Sequence, residues 1–127
     1  MPVASLLYAG ILGVISIAVA FPAGRLRGQL GVAIGDGGNR DLLLAMRRHA
    51  NFVEYVPIAL ILLVLLELNG VSKIAIHSLG AALVLARICH AFGIKAENIK
   101  SAGRAIGAAV SALVTLVASV WAIVIFV

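Results

Sequence analysis

The chain has 127 residues, of which 63% are hydrophobic and 12% are charged. Soluble domains carry roughly 45–50% apolar and about 25% charged residues, and a chain this short has too small an interior to bury the excess. The composition therefore argues against a water-soluble enzyme, a disordered chain and, with a single cysteine, a disulfide-stapled secreted module. It predicts an integral membrane protein.

Four apolar runs are long enough to form helices that cross a bilayer, which takes about 20 residues. They cover residues 3–22, 42–68, 74–94 and 105–127, and they leave no room for a soluble domain. We therefore predict an all-α fold. It consists of a single membrane domain over residues 1–127, built as a four-helix transmembrane bundle.

The connections between these spans carry turn and cap signals. The first connection, residues 23–41, contains a glycine-rich turn at residues 35–39. Asn39 or Asp41 is expected to cap the second helix, and Asn69 with the following glycine is expected to end it. Glu67, at the outer end of the second helix, is expected to be solvated at the membrane surface.

The net charge of +5 is unevenly distributed along the chain. The positive-inside rule places basic connections in the cytoplasm, so the first and third connections are predicted to be cytoplasmic and both termini to lie outside. Nucleic acid is not an expected partner, because the basic residues are not interleaved with aromatic residues along one face. The basic residues in or beside these two connections are Arg25, Arg27, Arg40, Arg47, Arg48, Lys95, Lys100 and Arg104.

The second helix carries an unusual set of polar residues for a membrane span. Arg47, Asn51, Glu54 and Tyr55 fall at i, i+4, i+7 and i+8, which predicts one polar stripe bordered by Arg48. One interpretation is structural: the arginines snorkel to the surface and Glu54 pairs with one of them. The other is a binding site for a zwitterionic, peptide-like ligand, with arginines on its carboxylates and Glu54 on its ammonium group.

At these residues the chain resembles a known family. Residues 47–57, Arg-Arg-His-Ala-Asn-Phe-Val-Glu-Tyr-Val-Pro, look like the second-helix signature of the membrane-associated proteins in eicosanoid and glutathione metabolism. The shared pattern is Arg-x-x-x-Asn-x-x-Glu-Tyr-x-Pro. The segments at 35–39 and 86–93 are similar to the bacterial branch of that family, which implies a bacterial inner membrane protein.

The resemblance implies both an assembly and a ligand. Members of this family are homotrimers of four-helix bundles that bind glutathione between neighbouring subunits. By position, Arg47 is expected to hold a glutathione carboxylate, and Asn51, Glu54 and Tyr55 are expected to contact its peptide and amino groups. His49 points away from this stripe, so it either reaches a ligand held by the neighbouring subunit or lies at the subunit interface.

Catalysis in the family requires the glutathione thiol as a thiolate, and a nearby guanidinium lowers a thiol pKa. Arg104 resembles the family's thiolate-stabilising arginine in its location, although an ordinary cytoplasmic anchor is the competing interpretation. Arg25, or alternatively Arg27, is a candidate for a second guanidinium at the site.

The third helix departs from the pattern of the eukaryotic relatives, which have tyrosines lining the site. His90 and Ile94 occupy the corresponding places here. Arg87 and His90 are three residues apart, so both are expected to face the bundle, and His90 is a candidate to donate the hydrogen bond of a tyrosine.

These features predict a glutathione-dependent transferase or peroxidase with glutathione as its co-substrate. Its second substrate would be a lipophilic electrophile or hydroperoxide that enters from membrane lipid. The alternative is a non-catalytic protein of the same fold that binds a lipid or a partner. A small channel is disfavoured by the absence of broken-helix pairs and inverted repeats, and no metal-binding pattern occurs.

Overall fold

The computed structural model describes residues 1–93 and 101–127, and within these residues the chain forms four helices. Each is long and apolar enough to cross a membrane, so the predicted all-helical membrane fold is confirmed. The expectations for Ile94, Lys95 and Lys100 lie outside the described residues. The helices are α1 (Val3–Leu30), α2 (Arg40–Leu68), α3 (Lys73–Gly93) and α4 (Ala102–Phe126).

The helices run alternately up and down, so that the bundle has two distinct ends. One end, which we call the terminal end, holds the start of α1 and the end of α4. Here the first turn of α1 meets the last turn of α2 through Ser5 and Glu67. The opposite end, which we call the basic end, holds the end of α3 and the start of α4. Here Gly93, the last residue of α3, packs against the backbone of Arg104. Arg40 begins α2 at this same end, beside the end of α1.

Helix α1 is longer than the apolar run that predicts it. The run stops at Pro22, whereas α1 continues past this proline to Leu30 and ends at Gly31, which adopts a left-handed conformation with φ 66°. The end of a helix is set by its capping geometry rather than by the loss of hydrophobicity. At 1.5 Å per residue, the 28 residues of α1 span about 42 Å, which exceeds the ~30 Å hydrocarbon core.

Besides Gly93, two glycines of different helices allow close packing inside the bundle. A Cβ atom at Gly80 of α3 would collide with the ring of Tyr8 on α1, and one at Gly107 of α4 would collide with the backbone of α3. Gly13 of α1 makes no such close approach, because no described atom lies within 4 Å of the position that its Cβ would take. The outer surface is covered by exposed apolar side chains such as Ile17.

The caps of α2 match the expectations for both of its ends. The Asn39 side chain accepts a hydrogen bond from the backbone N–H of Leu42 at 2.9 Å, and Gly70, with φ 82°, follows the C-cap residue Asn69. The expectation for Glu67 is incomplete, because the half-buried side chain also has partners within the chain. Its carboxylate is not simply solvated but binds the first turn of α1, whose free N–H groups and positive dipole end attract a carboxylate.

Candidate functional site

A buried cation, Arg87 of α3, lies at the centre of the polar interior of the bundle. Its side chain is only 1% exposed. Nη2 donates a hydrogen bond to Oδ1 of Asn51 on α2 at 2.8 Å, and Nη1 donates to Oγ of Ser111 on α4 at 3.3 Å. This one guanidinium therefore joins three helices at the same level of the bundle.

Two aromatic rings of α2 lie close to the same guanidinium. Its central carbon lies 5.8 Å from the centre of the Phe52 ring and 5.7 Å from the centre of the Tyr55 ring, within the ~6 Å range of cation–π attraction. These contacts replace part of the hydration that a buried arginine loses. We call the five residues Arg87, Asn51, Phe52, Tyr55 and Ser111 the Arg87 cluster.

The spacing of residues along the helices assembles this cluster. Asn51 and Tyr55 are four residues apart, so they occupy neighbouring turns on one side of α2. On α4, the Ser111 hydroxyl donates to the carbonyl oxygen of Gly107 at 2.7 Å. Because Gly107 has no side chain, α4 packs directly against α3 beside His90, and this close approach brings Ser111 within reach of Arg87.

Two buried nitrogen atoms in this region have no hydrogen-bond partner among the described residues. They are Nε of Arg87 and Nδ1 of His90, which lie one turn apart on α3. His90 is 3% exposed, so both side chains face the interior, as their spacing predicts. A water molecule or a polar ligand atom is the species that satisfies such groups in protein interiors.

The predicted stripe on α2 crosses the boundary between the outer and the inner face of the helix. Arg47 and Glu54 are exposed, whereas Asn51 and Tyr55 are half-buried. At about 100° per residue, Glu54 lies about 20° to one side of Arg47, while Asn51 and Tyr55 lie about 40° and 80° to the other side. We call Arg47 and Glu54 the outer pair, since they face away from the bundle.

The remaining arginines of the prediction occupy the basic end of the bundle. Arg104 is half-buried in the first turn of α4, and its backbone N–H donates to the Ser101 hydroxyl at 3.5 Å. Gly93, three residues after His90 on α3, packs against the Arg104 backbone, so the structure brings Arg104 to the His90 side of the cluster. Arg48 and Arg25 are half-buried and exposed, respectively.

Two further residues named from the sequence lie near this end. His49 is half-buried on α2. Arg27, the alternative to Arg25, donates to the carbonyl oxygen of Ala33 at 3.0 Å and contacts Sδ of Met46 at 3.3 Å. Arg27 therefore holds the loop after α1 against α2, which leaves Arg25 as the more accessible of the two guanidinium groups.

Sequence reasoning missed two members of the cluster. In the sequence alone, Phe52 looks like an ordinary core residue, and Ser111 looks like a small packing residue four positions after Gly107. A signal for Ser111 exists in the sequence, because a hydroxyl in an otherwise apolar helix marks a site that can hydrogen-bond a polar group of a neighbouring helix. The buried Arg87 is the group that needed such a partner.

Comparisons with known proteins place the chain in a family. The model of the MAPEG family matches residues 5–124. The chain is 40% identical over 89 residues to the inner membrane protein YecN of Escherichia coli strain K12, covering 70% of this chain and 68% of the relative, and equally similar to YecN of E. coli O6:H1 strain CFT073. No solved structure matches. The match over nearly the whole chain, together with this identity, shows that the chain belongs to the MAPEG family.

Proposed function

We propose that this protein is a glutathione-dependent transferase or peroxidase of the inner membrane that acts on lipophilic electrophiles or hydroperoxides. The MAPEG family includes glutathione transferases, and the chain belongs to it. The observation that carries the proposal is the arrangement on α2. The outer pair is exposed on the outer face of α2. The half-buried Asn51 and Tyr55 lie beside it, toward the inner face of the helix.

The depth of the outer pair in the helix supports a ligand site. Glu54 lies 14 residues after Arg40, the first residue of α2, which corresponds to about 21 Å along the helix axis. A carboxylate this far into a membrane helix is costly when it faces lipid, and it requires an ionic or hydrogen-bonding partner. The ammonium group of glutathione meets this requirement for Glu54, and its carboxylates meet the requirement of Arg47.

A neighbouring copy of the chain would complete this site. The outer pair faces away from its own bundle, so a group from outside the subunit has to cover it, and a ligand held by a neighbouring copy is the group we propose. We propose a homotrimer in which glutathione binds between the outer pair of one subunit and the basic end of the next. In this arrangement His49 lies at the subunit interface.

Arg104 is the proposed thiolate-stabilising residue, and Arg25 is the proposed second guanidinium. Both lie at the basic end of the bundle, one in the first turn of α4 and one near the end of α1. A guanidinium beside the glutathione sulfur stabilises its deprotonated form, which is the nucleophile. Glutathione would enter from the cytoplasm, and the lipophilic substrate from the bilayer.

A second candidate is a non-catalytic lipid- or partner-binding protein of the same fold. It is favoured by one observation: Asn51, a proposed ligand contact, already accepts a hydrogen bond from Arg87 within the chain. A purely structural Arg87 cluster would leave only the outer pair available for binding, which suits an anionic or zwitterionic lipid headgroup.

Calorimetry on the purified protein in detergent separates the two candidates. We expect glutathione to bind with a dissociation constant at or below the millimolar range, and Glu54→Gln and Arg47→Ala each to weaken binding at least tenfold. Lys73→Ala, which removes an exposed cation at the terminal end, is the control and should bind normally. Absence of binding at millimolar glutathione would falsify the proposed function and leave the second candidate.

A further inference from the structure

The orientation of the Asn51 amide is fixed by the chemistry of its partner. An arginine side chain has five N–H donors and no acceptor. The Asn51 group within 2.8 Å of Nη2 must therefore be the oxygen, because the reverse orientation would oppose two donors. The donor inventory of arginine alone settles this orientation.

The position of Arg87 is in turn fixed by its surroundings. The guanidinium lies within cation–π distance of both the Phe52 and the Tyr55 ring, and its other terminal nitrogen donates a hydrogen bond to Ser111. At 1% exposure the side chain has no alternative solvent-facing position. Arg87 therefore holds the Asn51 oxygen on the inner side of α2.

We propose that Arg87 is a positioning residue that makes Asn51 present a hydrogen-bond donor to the ligand. With Oδ1 bound to Arg87, the Nδ2 amino group occupies the other branch of the planar amide. Asn51 is half-buried and borders the exposed outer pair, so this donor lies on the side from which a ligand approaches. The inference rests on the proposed function, and it specifies that the ligand group at Asn51 is an acceptor, a carboxylate or a peptide carbonyl.

Asn51→Asp is the variant that tests the proposal directly. An aspartate keeps an oxygen toward Arg87, and the resulting charge-assisted hydrogen bond is stronger than the original one. The substitution also replaces the Nδ2 donor that Asn51 presents to the ligand with a charged acceptor. We therefore expect glutathione affinity to fall by about 10- to 100-fold, while the midpoint of thermal unfolding in detergent stays constant or rises.

Asn69→Asp provides a matched control with the same chemical change. At the terminal end, the Asn69 side chain uses its donor rather than its acceptor, since Nδ2 bonds the carbonyl oxygen of Leu65 at 2.8 Å. Asn69→Asp should therefore lower the unfolding midpoint slightly and leave glutathione affinity unchanged. The two variants should thus show opposite effects on stability and different effects on binding, a pattern that a general cost of added negative charge does not produce.

Arg87→Lys tests the positioning role by changing Arg87 instead of Asn51. Lysine keeps the charge but lacks the planar fork with which arginine contacts aromatic rings and holds an amide at the same time. We expect weaker glutathione binding in the folded variant, and Asn51→Asp decides the question if this variant does not fold.

The outcomes separate the inference from the proposed function. If wild-type protein binds glutathione and Asn51→Asp binds equally well, the donor assignment is wrong and the proposed function stands. If Asn51→Asp lowers the unfolding midpoint, the oxygen does not face Arg87 and the inference is overturned. If wild-type protein shows no binding at all, both proposals fall.

Discussion

The carboxylate of Glu67 accepts two hydrogen bonds from Ser5, one from its backbone N–H at 2.7 Å and one from its hydroxyl. A third hydrogen bond comes from the backbone N–H of Ala4 at 2.9 Å. Two of the N–H groups that the first turn of α1 leaves free are thereby satisfied by a side chain 62 and 63 residues away in sequence. Glu67 therefore acts as an N-terminal cap supplied by another helix.

Replacing Glu67 should destabilise the bundle at its terminal end. We expect Glu67→Ala to reduce the free energy of unfolding by about 1–3 kcal/mol, since it leaves two backbone donors and one hydroxyl without their charged acceptor. Glu67→Gln, which keeps one acceptor oxygen, should cost less. The measurement is thermal or denaturant unfolding in detergent.

Ser5→Ala makes this prediction specific. It removes only the hydroxyl contact, so its effect should be smaller than that of Glu67→Ala and should largely disappear when combined with it. Fully additive effects of the two substitutions would show that Ser5 and Glu67 do not interact.

The contact between α3 and α4 should be intolerant of a single methyl group. Gly107→Ala places a Cβ against the carbonyl oxygen of Ala86 and the backbone of His90, and backbone atoms cannot move aside as a flexible side chain can. We expect a loss of about 1–3 kcal/mol in stability, together with displacement of Ser111 from Arg87.

Gly13→Ala is the matched control for this substitution, because no described atom lies within 4 Å of its Cβ position. The two variants should differ clearly in unfolding midpoint when measured in the same detergent. Equal midpoints would contradict the close packing at Gly107.

Arg104 should affect the thiolate more than it affects binding. In Arg104→Ala we expect the ultraviolet absorbance of bound glutathione thiolate to fall and turnover of a chlorodinitrobenzene-type electrophile to drop by at least tenfold, with glutathione affinity changed far less. The reason is that a guanidinium stabilises the deprotonated sulfur rather than the peptide.

Arg25→Ala separates this role from a general loss of positive charge at the basic end. Because Arg25 is exposed near the end of α1 and is proposed only as a second guanidinium, Arg25→Ala should lower the thiolate absorbance less than Arg104→Ala does. Unchanged absorbance and turnover in Arg104→Ala would point to an anchoring role for Arg104 and favour a non-catalytic protein.

The orientation in the membrane can be tested by labelling. Single cysteines in a Cys89→Ser background, placed at the exposed Ile34 in the first loop and at Asn69 at the terminal end, should be accessible to a membrane-impermeant maleimide from opposite sides. The positive-inside rule predicts that the residue 34 site reacts only after the inner membrane is opened. Labelling of that site in intact spheroplasts would show that the first connection lies outside, opposite to the predicted orientation.

The sequence was sufficient for the number and type of the helices, because apolar runs of this length have few other structural solutions. It was less informative about where α1 ends. The apolar run stops at Pro22, but a proline within a membrane helix is tolerated and the helix continues to Leu30. Hydropathy reports which residues suit lipid, whereas the helix terminus depends on Gly31.

The candidate site, too, could be predicted only in part from the sequence. Periodicity identified Asn51 and Tyr55 as neighbours on α2, but it could not assign Asn51 to Arg87, which lies 36 residues away on another helix. Partners between helices depend on how the helices pack, and packing here depends on single glycines such as Gly107. A pattern within one helix contains no information about that packing.

The burial of Arg87 bears on how the chain enters the membrane. An arginine raises the free energy of inserting a membrane helix, by about 2.5–3.5 kcal/mol at the centre of the span on the translocon scale, and Arg87 lies six residues before the end of α3. The groups that offset this cost, Asn51 and Ser111, belong to α2 and α4. Insertion of α3 is thus coupled to its neighbours: α3 alone should partition poorly into lipid, and it becomes stable as a span only when α2, made before it, and α4, made after it, enclose the guanidinium.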